Sequence, residues 1–465
     1  MAVPLLWKLG GARAFRKKTG CTFGKWRKIL YFCRQNIQRI MVSTINKYPE
    51  MRVLQLPSSS QVAYCGIAVH AGSRHEEPSQ QGLAHFCEHL AFKGTERRTA
   101  TQIINAIEGL GGELNAFTNK EDTVFYCAIE QRHLRRALDV LQDIVFHSQY
   151  PEQEVEKERE VVCDEIESYE DTPAELIYDE FENILFKGHP LGHNILGTSA
   201  QVRSYTGADA LRFKQQWYRP ENCVMFISQK TLQPHPQPLQ PLPQPLPQPL
   251  PIREGSKYSQ DGKTIRELTE EVSSPLPIRE GRGESLFIRD RGTHQAHVMV
   301  GTRAYAAADE RRWALYLLNN ILGGPALNSR LSMALRERNA LVYTVDSSMV
   351  SYSDVGLWSI YFGCDPDDTK RCLRLVRQQL DRLMDKPLSE SQLRAAKRQL
   401  QGQLAIAAEN REQTILDCAR NFLHTGKVRT VADVMTHIAT LTAHDLQCCA
   451  QEIFGAERLT TLIYQ

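Results

Sequence analysis

The chain has 465 residues, 42% of them hydrophobic and 24% charged, with a formal net charge of +2. That length accommodates two or three domains with real cores, and the balanced charge excludes a surface built as a whole for nucleic acid or for an acidic partner. No apolar run approaches the roughly 18 residues of a membrane-spanning helix, so no membrane span is expected.

The chain opens on a basic leader. Eleven Lys or Arg precede the first acid, Glu50, with Trp7, Phe15, Trp26, Ile29 and Phe32 among them. Residues 1–45 therefore read as a basic N-terminal extension, either a bland extended start or an organellar transit peptide. The expected location is cytoplasmic, or an organellar matrix if the leader is a transit peptide. Twelve cysteines are scattered without CxxC spacing. They sit inside apolar runs such as "VAYCGIAVHAG" and "TVFYCAIE", where a thiol acts as a small core residue in a reduced setting.

Residues 46–230 alternate strand and helix signals. "VAYCGIAVHAG" is short, apolar and followed by Gly-Ser, which predicts a buried strand. "SQQGLAHFCEHLAFKG" predicts a helix closed by Gly94. "ATQIINAIEGLGG" is a second helix ending in glycines. "ELNAFTNKEDTVFYCAIE" predicts strands around a polar turn, and "QRHLRRALDVLQDIVFHS" has helical spacing. "PEQEVEKEREVVCDEIESYED" starts with Pro and early acids, which favours a long helix.

Residues 231–285 differ in kind. "PHPQPLQPLPQPLPQPLP" removes backbone donors and fixes φ, and "PLPIREG" occurs at Pro249–Gly255 and again at Pro275–Gly281. This predicts a disordered, low-complexity linker acting as a spacer. Residues 286–465 return to order: the strand "QAHVMVGTRAYA", the helix "ERRWALYLLNNILGG", then further strands and long helices. The sequence of elements echoes residues 46–230, so the chain reads as two α+β halves with a weak internal duplication. Asn319 and Asn320 stand about where the first half has Glu88 and His89.

The chemistry concentrates in "GLAHFCEHLAFKGT". His85 and His89 are four apart, so on a helix both imidazoles face one side and can reach one ion. Glu88 borders that face as a general base. The order H-x-x-E-H is the inverzincin pattern. Zinc with three protein ligands and water needs one further donor, and the acidic helix offers several. Glu158 and Glu165 are two turns apart on one face, but spacing alone does not choose Glu165 over Asp164 or Glu167. Manganese or cobalt would also accept such ligands.

These blocks, with "GGELNAFTNKEDTVFYC", "EREVVCDEIESYEDTPAELIYDE" and "HPLGHNILGT", resemble the pitrilysin/insulinase family of zinc peptidases. The likeness is greatest to its branch of mitochondrial processing peptidase β and bacterial relatives. The resemblance implies two homologous halves, each an antiparallel sheet backed by helices. It implies one zinc per chain on His85, His89 and Glu165, with Glu88 as base and Glu158 as a helper. It further implies that Asn115 and Ala116 lie on the edge strand that pairs with substrate, and that Arg336 and Tyr343 stabilise the oxyanion from the second half. The activity implied is metalloendopeptidase cleavage of peptides or unfolded segments. The partner implied is a second copy or an inactive homologue. After "ENCVMFISQK" the family usually continues with a Gly-Asp turn and a closing helix, and here the proline-rich repeat takes their place. The rival readings are a non-catalytic assembly subunit and a peptide-binding scaffold.

Overall fold

A computed structural model describes residues 41–45, 48–230 and 285–465. The expected linker, apart from Ser285, and residues 1–40 of the expected extension lie outside the described residues. Met41–Ile45, also assigned to the extension, instead form a strand.

The first sheet contains β1 (Met41–Ile45), β2 (Tyr48–Pro57), β3 (Val62–Val69), β4 (Glu113–Thr118), β5 (Thr123–Glu130) and β6 (Cys223–Gln229). Their spatial order is β1-β2-β6-β3-β5-β4. The same half carries α1 (Leu83–Ala91), α2 (Ala100–Ile107), α3 (Leu134–His147), α4 (Glu152–Glu170), α5 (Pro173–Leu185), α6 (Ser199–Ser204) and α7 (Gly207–Trp217). The second sheet contains β7 (Ser285–Arg289), β8 (Ala296–Ala304), β9 (Val342–Ser351), β10 (Gly356–Cys364) and β11 (Thr460–Tyr464), in the order β7-β11-β8-β10-β9. Its helices are α8 (Arg312–Gly323), α9 (Thr369–Asp385), α10 (Glu390–Ala407), α11 (Arg411–Thr425), α12 (Val431–Thr440) and α13 (Ala443–Ile453).

The α+β class and the two halves are as expected, and the duplication is written in the topology. Setting β1 aside, both sheets place their last strand between their first two. That insertion corrects one expectation. Neither sheet is antiparallel throughout, because β6 runs parallel to β2 and antiparallel to β3, and β11 runs parallel to β7 and antiparallel to β8. A consecutive pair of strands, opened by a strand from far along the chain, is invisible to local pattern.

Each sheet is covered on both faces. In the first half, one face packs on the half's own helices, with Val53, Ile67, Phe125 and Met225 against Phe86, Leu141 and Val162. The opposite face, with Leu54, Val124 and Phe226, is covered by Ile415, Phe422 and Leu423 of α11, a helix of the second half. The second sheet has its own helical face. Its other face, with Met299, Leu357 and Leu462, is covered by Leu176, Ile177 and Phe181 of α5 from the first half. The halves thus exchange one helix each. Burial on both faces explains why β6 and β10 read as nearly unbroken apolar runs rather than alternating ones.

Candidate metal centre

The helix α1 is amphipathic in an unusual sense. Leu83, Ala84, Phe86, Cys87, Leu90 and Ala91 enter the core, while His85, Glu88 and His89 share the remaining side. Cys87 points away from that side, its thiol 3.6 Å from the Ala210 carbonyl. The helix starts without a side-chain cap of its own at Gly82, which has φ of 90°. Its free N–H groups are taken by buried Glu76, whose carboxylate accepts from Gly82 N at 2.9 Å and Ala84 N at 2.7 Å. His193 reaches the same carboxylate at 3.1 Å. A Cβ on Gly82 would lie 2.4 Å from the Leu196 carbonyl oxygen, and one on Gly197 would lie 2.2 Å from that of Gln81. The "HNILGT" segment therefore presses backbone to backbone on the start of the helix, and glycine is required on both sides.

Helix α4 lies against α1 and brings two acids to the histidines. Glu165 Oε2 is 3.4 Å from His89 Nε2 and 3.8 Å from His85 Nε2. Of the acids that spacing left open, Glu165 is the one that reaches both rings. Among the described residues, His85, His89 and Glu165 are the one group of three such side chains with donor atoms all within 4.8 Å of one another. Two imidazole nitrogens and one carboxylate oxygen fit zinc, with a coordination position left for water. His85 is buried, and burial followed by the charge of His89 lowers its pKa to about 4, so its ring is neutral as a ligand must be. Burial acts to lower His89 too, but hydrogen bonds to Glu158 and Glu165 win and raise it to about 9. A cation at these atoms must displace that proton.

Glu158 stands behind the group. Its Oε2 is 3.1 Å from His89 Nδ1 and its Oε1 is 2.5 Å from Lys93 Nζ. Such a carboxylate fixes the ring's tautomer and orientation, leaving Nε2 for the ion. Glu88 is 8% exposed. Burial raises its carboxyl above the usual range, against a hydrogen bond donated by the Thr118 hydroxyl to Oε2 at 2.6 Å. Asn115 and Ala116 lie on β4, the last strand of the first sheet, and among the described residues one backbone edge of β4 has no strand beside it.

The two second-half residues are not brought to this group. Arg336 sits in a π-helical turn, Ser332–Glu337, and pairs with its neighbour Glu337 at 2.9 Å. It lines a cavity of about 450 Å³ with Tyr316, Asn319, Asn320 and Asp346. Tyr343 is 87% exposed. Among the described residues, no hydrogen bond or ion pair joins either of them to His85, Glu88, His89 or Glu165. Sequence reasoning also passed over Glu76, Lys93 and Thr118. Lys93 was signalled by its place one turn after His89, and Thr118 by period 2, which sets it on the same face of β4 as Leu114 and Ala116.

Comparison with known proteins agrees across both halves. A family model described as insulinase, peptidase family M16, matches residues 52–199, and one described as the peptidase M16 inactive domain matches residues 255–400. An uncharacterized zinc protease of Streptomyces coelicolor is 33% identical over 400 residues, 86% of this chain and 84% of the relative. The uncharacterized zinc protease YmxG of Bacillus subtilis is 30% identical over 398 residues, 86% of this chain and 92% of the relative. The crystal structure of a protease from Helicobacter pylori has the same fold, with a TM-score of 0.76 at 20% identity over 92% of this chain and 99% of that one. With full-length relatives at this identity and both halves matched in order, the chain belongs to the insulinase family of peptidases, family M16.

Proposed function

We propose that the protein is a zinc-dependent endopeptidase that hydrolyses peptides or unfolded segments, with His85, His89 and Glu165 as ligands. The observation that carries this reading is the convergence of those three donors with Glu88 one step away on the same helix. Zinc so bound polarises a carbonyl and acidifies water. Glu88 takes the proton of the attacking water and passes it to the amine as the C–N bond breaks. Thr118 donates to Oε2 and so holds the carboxylate in place. Burial of Glu88 suits it to both steps, since a raised carboxyl pKa lies nearer the operating pH. Glu158 holds His89 in the tautomer that presents Nε2.

The free edge of β4 fits an extended peptide, whose backbone would add as a further strand beside Asn115 and Ala116. Arg336 and Tyr343 enter this scheme only if a second molecule turns its second half towards the site, which is the role a dimer or an inactive homologue would play.

The test is hydrolysis of a quenched fluorescent peptide library by zinc-loaded wild type and Glu88→Gln. Turnover by wild type alone, lost on chelation and restored by zinc, is expected. If neither protein cuts while both hold one zinc, a non-catalytic assembly subunit becomes the better reading.

A further inference from the structure

The base has a support that reaches into the other half of the molecule. Thr118, which holds Glu88 Oε2, is the last residue of β4. The turn to β5 continues Asn119, Lys120, Glu121, Asp122. Its three charged residues are 2%, 7% and 0% exposed, in that order. Charged side chains are almost never so buried unless paired; each of these has partners outside the turn, and Asp122 also accepts from Asn119 Nδ2 at 2.8 Å. Lys120 Nζ donates to the carbonyls of Leu191 and His193. Glu121 accepts from Arg74 at 2.6 Å, and from the Ser353 hydroxyl at 2.6 Å and backbone N–H at 3.0 Å. Asp122 accepts from Arg420 Nε at 2.9 Å and meets His424 Nε2 at 2.8 Å.

Ser353 lies between β9 and β10, and Arg420 and His424 lie on α11, so all three belong to the second half. A turn that served only to dock the halves would do so at lower desolvation cost with apolar residues. Hydrogen-bonded charges fix position as well as contact, and the charges fixed here begin two residues after Thr118.

We propose that Thr118 is a positioning residue for Glu88, and that the buried turn 119–122 transmits the docking of the second half to it. This rests on the reading of Glu88 as the base. The second half then acts on the chemistry without touching substrate.

The test compares wild type, Glu88→Gln, Thr118→Val, Thr118→Ser, Arg420→Gln and Arg303→Gln on one quenched peptide, with zinc content and Tm measured for each. Arg303 is the control. It donates to the Leu185 carbonyl at 2.7 Å and so joins the halves away from the turn. Absence of wild-type turnover, or full turnover by Glu88→Gln, overturns the reading of Glu88 and this inference with it.

With that control passed, Thr118→Val is expected to lose about 10- to 100-fold in kcat with KM and zinc content unchanged, because misplacement by an ångström is enough. Thr118→Ser, which keeps the hydroxyl, recovers most of it. Arg420→Gln is expected to lose kcat per folded molecule, while Arg303→Gln loses stability alone. Unchanged kcat in Thr118→Val, or an Arg420→Gln no slower than Arg303→Gln, overturns the inference. Should Arg420→Gln fail to fold, Ser353→Ala in its exposed turn carries the same comparison.

Discussion

Glu158 shows how much of a metal centre lies behind its ligands. One of its oxygens orients His89 and the other is anchored by Lys93, so removal of its charge frees a ring rather than deleting a donor. Glu158→Gln is expected to bind zinc about 10- to 100-fold more weakly, as such outer partners usually do when mutated. Competition with a chromogenic chelator measures this. Glu88→Gln, which touches no ligand, should hold zinc like wild type. Glu76 is a support of another kind. It has no periodic signal, because its carboxylate reaches forward six and eight residues to the start of α1. Glu76→Ala is expected to cost about 1–3 kcal/mol by leaving buried N–H groups unsatisfied, read as a lower denaturation midpoint. His85, Glu88 and His89 were legible in the sequence because helical spacing alone puts them on one side. Glu165 was not separable from its acidic neighbours by spacing, since only the approach of α4 to α1 decides which carboxylate arrives.

At the scale of elements, helix α11 carries an unusual burden. Its apolar side lies on a sheet from the other half, and Phe422 is 1% exposed there. Phe422→Ala is expected to cost about 3–5 kcal/mol, in the range of large-to-small changes in a closed core. Thermal melting of the variant checks this, and the zinc ligands should be unaffected until the sheet loosens. The strands themselves were legible as apolar runs bounded by Gly and polar turns. Their order was not, because the insertion of β6 and β11 depends on partners remote in sequence. The face that β6 shares with Leu54 and Val124 is covered by α11, which local pattern in the first half does not announce.

The whole molecule is held by buried polar contacts as well as by exchanged helices. Burial alone would raise the Asp122 carboxyl, but His424 and Arg420 outweigh it and hold it well below the usual carboxylate range. A group depressed in this way stabilises fully above its unfolded pKa of about 4, and the contribution fades as pH falls towards the folded value. Asp122→Asn is therefore expected to lose about 3–5 kcal/mol at pH 7, as when one partner of a buried pair is removed. The gap to wild type should narrow below pH 4 in urea unfolding. The exchange of α5 and α11 also bears on synthesis. During translation the first sheet is complete once Gln229 has emerged, yet Ile415, which covers its face, follows 186 residues later (415 − 229). At about 5–20 residues per second the apolar face waits on the order of 10 to 40 seconds. A nascent chain so exposed is a substrate for chaperones at the ribosome, and slowing the ribosome after β6 should lower the yield of folded protein.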